Sequence, residues 1–212
     1  MTPNPPTKHI GSGATFIPDP PGPDDDRFAR AFKPWREWNV AVNFLTNLHC
    51  GADESSVFCL AMDPPDVVFS SARFEVKEIL DPGRRRHDEV KAAKAKKGPP
   101  ARDRARLYTP KDLTPEGVAV LVDQELQQMA GRGRYTESQR REMDLLFYVN
   151  MLQHWFEHGE MPSPQSFEAY GWRSVSAVVS TQTSIVFHAN ADAPSFLVEN
   201  AGVVRCRFEP LD

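Results

Sequence analysis

The chain has 212 residues and a formal net charge of −4, long enough to bury a substantial core and too acidic overall to coat a polyanion. Three cysteines, Cys50, Cys59 and Cys206, are odd in number and lack CxxC spacing, which argues against a zinc finger or a disulfide framework and suits free thiols in a reducing cytoplasm. No apolar run reaches the length of a membrane span and Met1–Ile10 lacks the core of a secretion signal, so a cytoplasmic protein is expected.

Residues 1–26 carry Pro3, Pro5, Pro6, Pro18, Pro20, Pro21 and Pro23 before Asp24-Asp25-Asp26. With few apolar side chains to bury, this segment is expected to be a disordered or extended tail. Residues 27–200 read as one α/β domain, and 201–212 as a C-terminal tail or edge strand. Trp35, Trp38, Val42, Leu45 and Leu48 recur at helical spacing, with Pro34 tolerated in the first turn. Ser55–Met62 and Asp66–Phe69 then read as short strands.

The next strand, Arg73–Leu80, carries the most chemistry. Side chains alternate across a strand, so Glu75 and Lys77 share one face while Phe74, Val76 and Leu80 share the other. Asp66, at the start of the preceding strand, reaches the same point if the two strands pair. Magnesium prefers oxygen ligands, usually one or two carboxylates completed by water and substrate phosphate. Asp66 and Glu75 suit that role, with the Val76 carbonyl as a third ligand and Lys77 placed to orient a water or stabilise a transition state. A blander pattern also fits: Asp66 at a turn, and Glu75 and Lys77 as a solvated pair on an amphipathic strand.

Pro65-Asp66…Glu75-Val76-Lys77 resembles the signature of the PD-(D/E)xK, or restriction-endonuclease-like, nuclease superfamily. The run from Trp35 through Asp66 to Arg84-Arg85-Arg86-His87-Asp88-Glu89 also resembles an uncharacterised bacterial family of endonucleases with that fold, over roughly residues 30 to 198. The resemblance implies a layered fold with a central mixed β-sheet flanked by helices. It implies Mg2+ or Mn2+ at Asp66, Glu75 and Val76, with Lys77 catalytic, and makes Glu37 on the preceding helix a candidate extra acid.

From Arg84 to Arg106 there are ten basic residues against three acidic ones, a local asymmetry that suits a polyanion partner. Arg84, Arg85, Arg86, Lys91 and Lys94 are therefore candidate phosphate contacts, with Arg173 a further one; a solvated helix and loop is the competing explanation. Thr114 and Pro115 open a helix with Val118, Leu121, Val122, Leu126 and Met129 on one face and Gly131 as its stop. Gly131-Arg132-Gly133-Arg134 extends the basic character as a loop. Asp144–Val149, Val175–Ser180 and Thr183–His188 read as further strands, giving an α/β layered fold.

His154 and His158 stand four apart, but the glutamate of a HExxH motif is replaced by Trp155 and no third ligand is evident. Trp172 is assigned to the core. Ser70 and Ser71 lack a His/Asp arrangement, and no nucleotide-binding glycine motif occurs. The expected function is metal-dependent hydrolysis of DNA, more than RNA, in which cutting both strands of a duplex would favour a homodimer. The alternative is a catalytically inactive nuclease fold that binds nucleic acid or a protein partner in a regulatory role.

Overall fold

The apolar runs Asp144–Asn150, Ser174–Val179 and Thr183–Ala189 are covered on both faces, as near-continuous hydrophobic strands at the centre of a sheet must be. They become β7, β9 and β10 of a computed structural model that describes residues 8–9, 15–22, 29–62, 64–81, 83, 111–151, 154–157, 159–163 and 165–208. In chain order the earlier strands are β1 (Lys8–His9), β2 (Thr15–Ile17), β3 (Val57–Leu60), β4 (Val67–Phe69), β5 (Ala72–Leu80) and β6 (Lys111–Leu113). β8 (His154–Phe156) follows β7, and β11 (Val203–Cys206) ends the set.

Among the described residues, nine strands form one mixed sheet in the order β1-β2-β3-β4-β5-β7-β9-β10-β11. β5, β7 and β9 run parallel to one another, in a register that sets Glu75 beside Leu145 and Lys77 beside Phe147. The other neighbours pair antiparallel. β6 and β8 make a separate parallel ladder.

Helix α1 (Lys33–Asn47) covers one face. Its Ala41, Phe44 and Leu45 are fully buried with Phe74, Val76, Leu146, Val178 and Val186, the even-numbered residues of the central strands. Helix α2 (Pro115–Arg132) covers the other, where Val118, Val122 and Leu126 meet the odd-numbered Ile79, Leu145, Phe147, Val175 and Ile185. The period-two alternation of the strands thus sorts two cores, one per face. Three short helices complete the layers: α3 (Glu137–Glu142), α4 (Gln165–Glu168) and α5 (Ser195–Glu199).

Three expectations are corrected here. Within the segment read as a Pro-rich tail, Thr15–Ile17 pairs with β3 (Thr15 opposite Leu60), and Phe16 and Ile17 pack on the α1 core. Two adjacent apolar side chains and an open sheet edge outweigh the proline-rich composition around them. The strand expected over Ser55–Met62 is only Val57–Leu60, because Asp53 accepts from the Ser55 amide at 2.9 Å and starts a 3₁₀ turn first. Helix α2 does not stop at Gly131; Gly133 (φ +60°) takes the left-handed cap position and ends it.

Within 201–212, expected as a tail or an edge strand, β11 pairs with β10 at the edge of the sheet. Cys50, Cys59 and Cys206 are free thiols. No helix among the described residues is long and apolar enough to cross a membrane.

Candidate functional site

β4 and β5 form a hairpin through Ser70 and Ser71, and its register places Val67 opposite Phe74. Beyond that pair, Asp66 still donates its amide to the Phe74 carbonyl at 2.9 Å, but the ladder then stops. The next amide along β5 on this edge, that of Val76, is bonded by the Asp66 side chain instead, Oδ2 accepting at 2.9 Å. Asp66 thus closes the sheet edge with its carboxylate, and its side chain is only 2% exposed.

Around that edge the charges gather from both faces of the sheet. From α1, the Lys33 ammonium lies 3.0 Å from Asp66 Oδ1 and 3.0 Å from Glu37 Oε1. From the α2 face, Lys77 Nζ donates to Glu75 Oε1 and, at 3.2 Å, to the Val76 carbonyl. Glu75 is fully buried, and Tyr135 donates its phenolic hydroxyl to Oε1 at 2.5 Å. The other oxygen, Oε2, is buried and has no hydrogen-bond partner among the described residues. Asp66, Glu75, Val76 and Lys77 are therefore brought together, with Glu37 joined to them through Lys33.

The electrostatics follow from burial and crowding. Desolvation, helped by the nearby Asp66 charge and opposed by Lys33 and Lys77, pushes the Glu37 carboxyl up to about 7. Burial alone would lower the Lys33 ammonium, but Asp66 and Glu37 outweigh it and hold that group above its ordinary value. Burial and the adjoining Glu75 raise the Tyr135 phenol, so it remains a donor throughout the neutral range. Among the described residues, no group of three His, Cys, Asp or Glu side chains closes into a metal-ligand cluster.

The remaining candidates fall elsewhere. Arg173 clamps Asp144: Nε donates to Oδ1 at 3.0 Å, a terminal nitrogen reaches Oδ2, and another bond goes to the Ser71 carbonyl at 3.0 Å. It thereby ties the β4–β5 turn to β7. Arg84, Arg85, Arg86, Lys91 and Lys94 lie outside the described residues. His154 is on a strand with its Nδ1 3.8 Å from Asp81, and His158 lies outside the described residues. Trp172 is buried edge-on against Tyr135.

Two participants escape the sequence reading, Lys33 and Tyr135. Lys33 precedes the periodic part of α1 and looks like a surface residue at a helix start. Tyr135 is an aromatic alone in a polar stretch, directly before Thr136 and Gln139, whose reciprocal bonds cap α3. That isolation between a helix stop and a capping box is the signal that singles it out.

The chain belongs to the family described as "Putative endonuclease, protein of unknown function (DUF1780)", matched over residues 25–209. It is also similar to a solved protein of unknown function from Pseudomonas aeruginosa strain PAO1, described as of the monooxygenase superfamily. The two share 26% identity over 86% of this chain and 85% of the other, with a TM-score of 0.57. No curated protein matches.

Proposed function

We propose that the chain is a metal-dependent endonuclease of the PD-(D/E)xK type, hydrolysing phosphodiester bonds of DNA on a restriction-endonuclease-like fold. The carrying observation is the convergence of Asp66, Glu75, the Val76 carbonyl and Lys77 where β4 leaves the edge of β5. Membership of an endonuclease family supports the same chemistry. The monooxygenase description belongs to the Pseudomonas protein; here the buried acids and the lysine give hydrolysis direct support.

The donor set suits a hard divalent ion. Glu75 Oε2 is a buried acceptor to which none of the described residues donates, and two carboxylates with one carbonyl match what magnesium takes from protein before water and phosphate complete its shell. Asp66, Glu75 and the Val76 carbonyl would hold Mg2+ or Mn2+, with Glu37 as a further acid beside them. Such an ion lowers the pKa of bound water and neutralises charge developing on phosphorus oxygens. Tyr135 keeps the Glu75 carboxylate in one orientation, while Lys33 balances Asp66 and Glu37. The Lys77 ammonium, about a quarter exposed, faces the edge at which a phosphate would arrive and stabilises its transition-state charge. In the overall hydrolysis, water forms the new P–O bond, the scissile P–O bond breaks, and its oxygen leaves as a sugar hydroxyl. The basic Arg84–Arg106 segment would contact phosphates, and a homodimer would cut both strands of a duplex.

One observation favours a second function: Lys77 and Lys33 already pair with the two acids, as in a nuclease fold that binds its partner without cutting. The test uses supercoiled plasmid and a single-stranded oligonucleotide with Mg2+, Mn2+ or EDTA. Cleavage is expected only with metal and is expected to vanish in Asp66→Ala and Lys77→Ala. Cleavage that persists in EDTA or in Asp66→Ala removes the proposed site, whereas metal-independent binding without cleavage assigns the protein to the second class.

A further inference from the structure

A cavity of about 690 Å³ opens between α1 and the ends of β5, β7 and β9. Lys33, Glu37 and Val76 line it, and two of these bond Asp66 directly, so the cavity adjoins the Asp66 side of the candidate active site. We propose that it receives one unpaired nucleotide of the DNA strand being cut, which makes the preferred substrate DNA with a single-stranded or extrudable nucleotide at the cleavage point. This inference rests on the endonuclease reading and narrows its substrate.

The volume lies within the roughly 300–1,000 Å³ range of small-ligand pockets. A paired base stacked within a duplex cannot enter such a concavity; an unpaired or extruded one can. The lining has the chemistry to hold it. Trp35 and Tyr148 are partly buried against the α1 core and line the cavity with the rest of their rings, offering apolar faces for stacking. Asn39 and Asn150 add amide groups able to read a base edge, and Asn150 is oriented by its 3.0 Å bond to Glu78. Arg30 and Arg36 join Lys33, giving three cations against the carboxylates of Glu37 and Glu78, and Arg36 is positioned by its 3.1 Å bond to the Ala29 carbonyl. With Asp66 counted the charges balance, so a phosphate would be drawn by the guanidinium groups of Arg30 and Arg36 while Lys33 stays with Asp66 and Glu37.

The test separates binding from cutting. Oligonucleotides carrying 2-aminopurine, as a single strand, as a duplex with an overhang and as a blunt duplex, are titrated into the protein in EDTA. Stacking in the cavity is expected to quench the probe in the first two. Those two are also expected to bind roughly tenfold or more tightly than the blunt duplex, with Trp35→Ala and Asn39→Ala each removing most of that preference. Trp35→Phe, which keeps a ring on the core, is expected to retain it. Equal binding of all three forms, or an unchanged preference in folded Trp35→Ala and Asn39→Ala, overturns the inference even if metal-dependent cleavage is found. A preference that persists in a wild-type protein unable to cut any of these substrates leaves the cavity assignment standing and removes the endonuclease reading.

Discussion

The Tyr135 hydroxyl donates to Glu75 Oε1 at 2.5 Å across 60 residues of sequence, linking the loop after α2 to the middle of β5. Glu75 is fully buried, and a carboxylate in that position must be hydrogen-bonded or paired. Lys77 supplies the charge and Tyr135 the geometry, since a phenol stacked edge-on against buried Trp172 has little freedom to move. Removing that donor leaves Lys77 as the carboxylate's side-chain partner among the described residues.

Tyr135→Phe is therefore expected to lose about 1.5–3 kcal/mol of stability, the range for a hydrogen bond to a charged group. Urea denaturation measures it. If Glu75 holds metal, the same variant should need more Mg2+ for half-maximal cleavage while Trp172→Phe, which leaves the hydroxyl in place, should not. Equal metal requirements in wild type and Tyr135→Phe would leave the tyrosine a purely structural role.

Arg173 and Asp144 form another charge pair, in which the aspartate is fully buried. Asp144 is fully buried, and besides Arg173 it accepts from Ser174 Oγ and the Arg73 amide, each at 2.9 Å. Deleting the arginine strands a buried charge, so Arg173→Ala is expected to cost about 3–5 kcal/mol. In a double-mutant cycle with Asp144→Asn, the two effects should be strongly non-additive. Reduced DNA affinity at unchanged stability would instead make Arg173 the phosphate contact expected from the sequence.

How much was legible beforehand depends on what kind of signal each feature carries. Asp66, Glu75 and Lys77 were readable because strand alternation and hairpin pairing are local rules, and the structure does bring them to one edge. The full burial of Glu75 was not legible, because nothing local says that α2 and the loop after it cover its face. Lys33 meets Asp66, and Tyr135 meets Glu75, through contacts that span 33 and 60 residues of sequence. The strand at Thr15–Ile17 was hidden for a related reason: its partner is an edge of β3, and composition counted over a proline-rich window averages away three residues.

The turn that delivers Tyr135 depends on Gly133. Its φ of +60° is left-handed, and a Cβ there would touch nothing within 4 Å, so the cost of a side chain is backbone strain alone. Gly133→Ala is expected to destabilise by about 1–2 kcal/mol, measured by denaturation, with Gly133→Asn milder because asparagine tolerates that conformation. Gly131→Ala, inside the helix, should be neutral or stabilising by up to about 1 kcal/mol. The opposite ranking would place the helix stop at Gly131 after all.

Glu37 gives the site a pH signature of a definite sign. Its carboxyl is raised from an ordinary 4.5 to about 7, first by burial and then by the Asp66 charge. Below 4.5 it is protonated in both folded and unfolded chains, and its contribution to stability is fully present. Between 4.5 and 7 the unfolded chain releases the proton while the folded chain keeps it, so stability falls as pH rises, and above about 7 the loss is complete. In EDTA, Glu37→Gln is expected to remove this downward slope, with its stability relative to wild type improving from pH 5 to pH 7.5. Divalent metal should also weaken the slope in wild type if Glu37 serves as an acid of the metal site, because the ion favours the ionised form. Denaturation midpoints across that range, with and without Mg2+, decide both points: parallel wild-type and Glu37→Gln curves in EDTA would show that Glu37 does not titrate there, and a wild-type slope indifferent to Mg2+ would separate Glu37 from the metal.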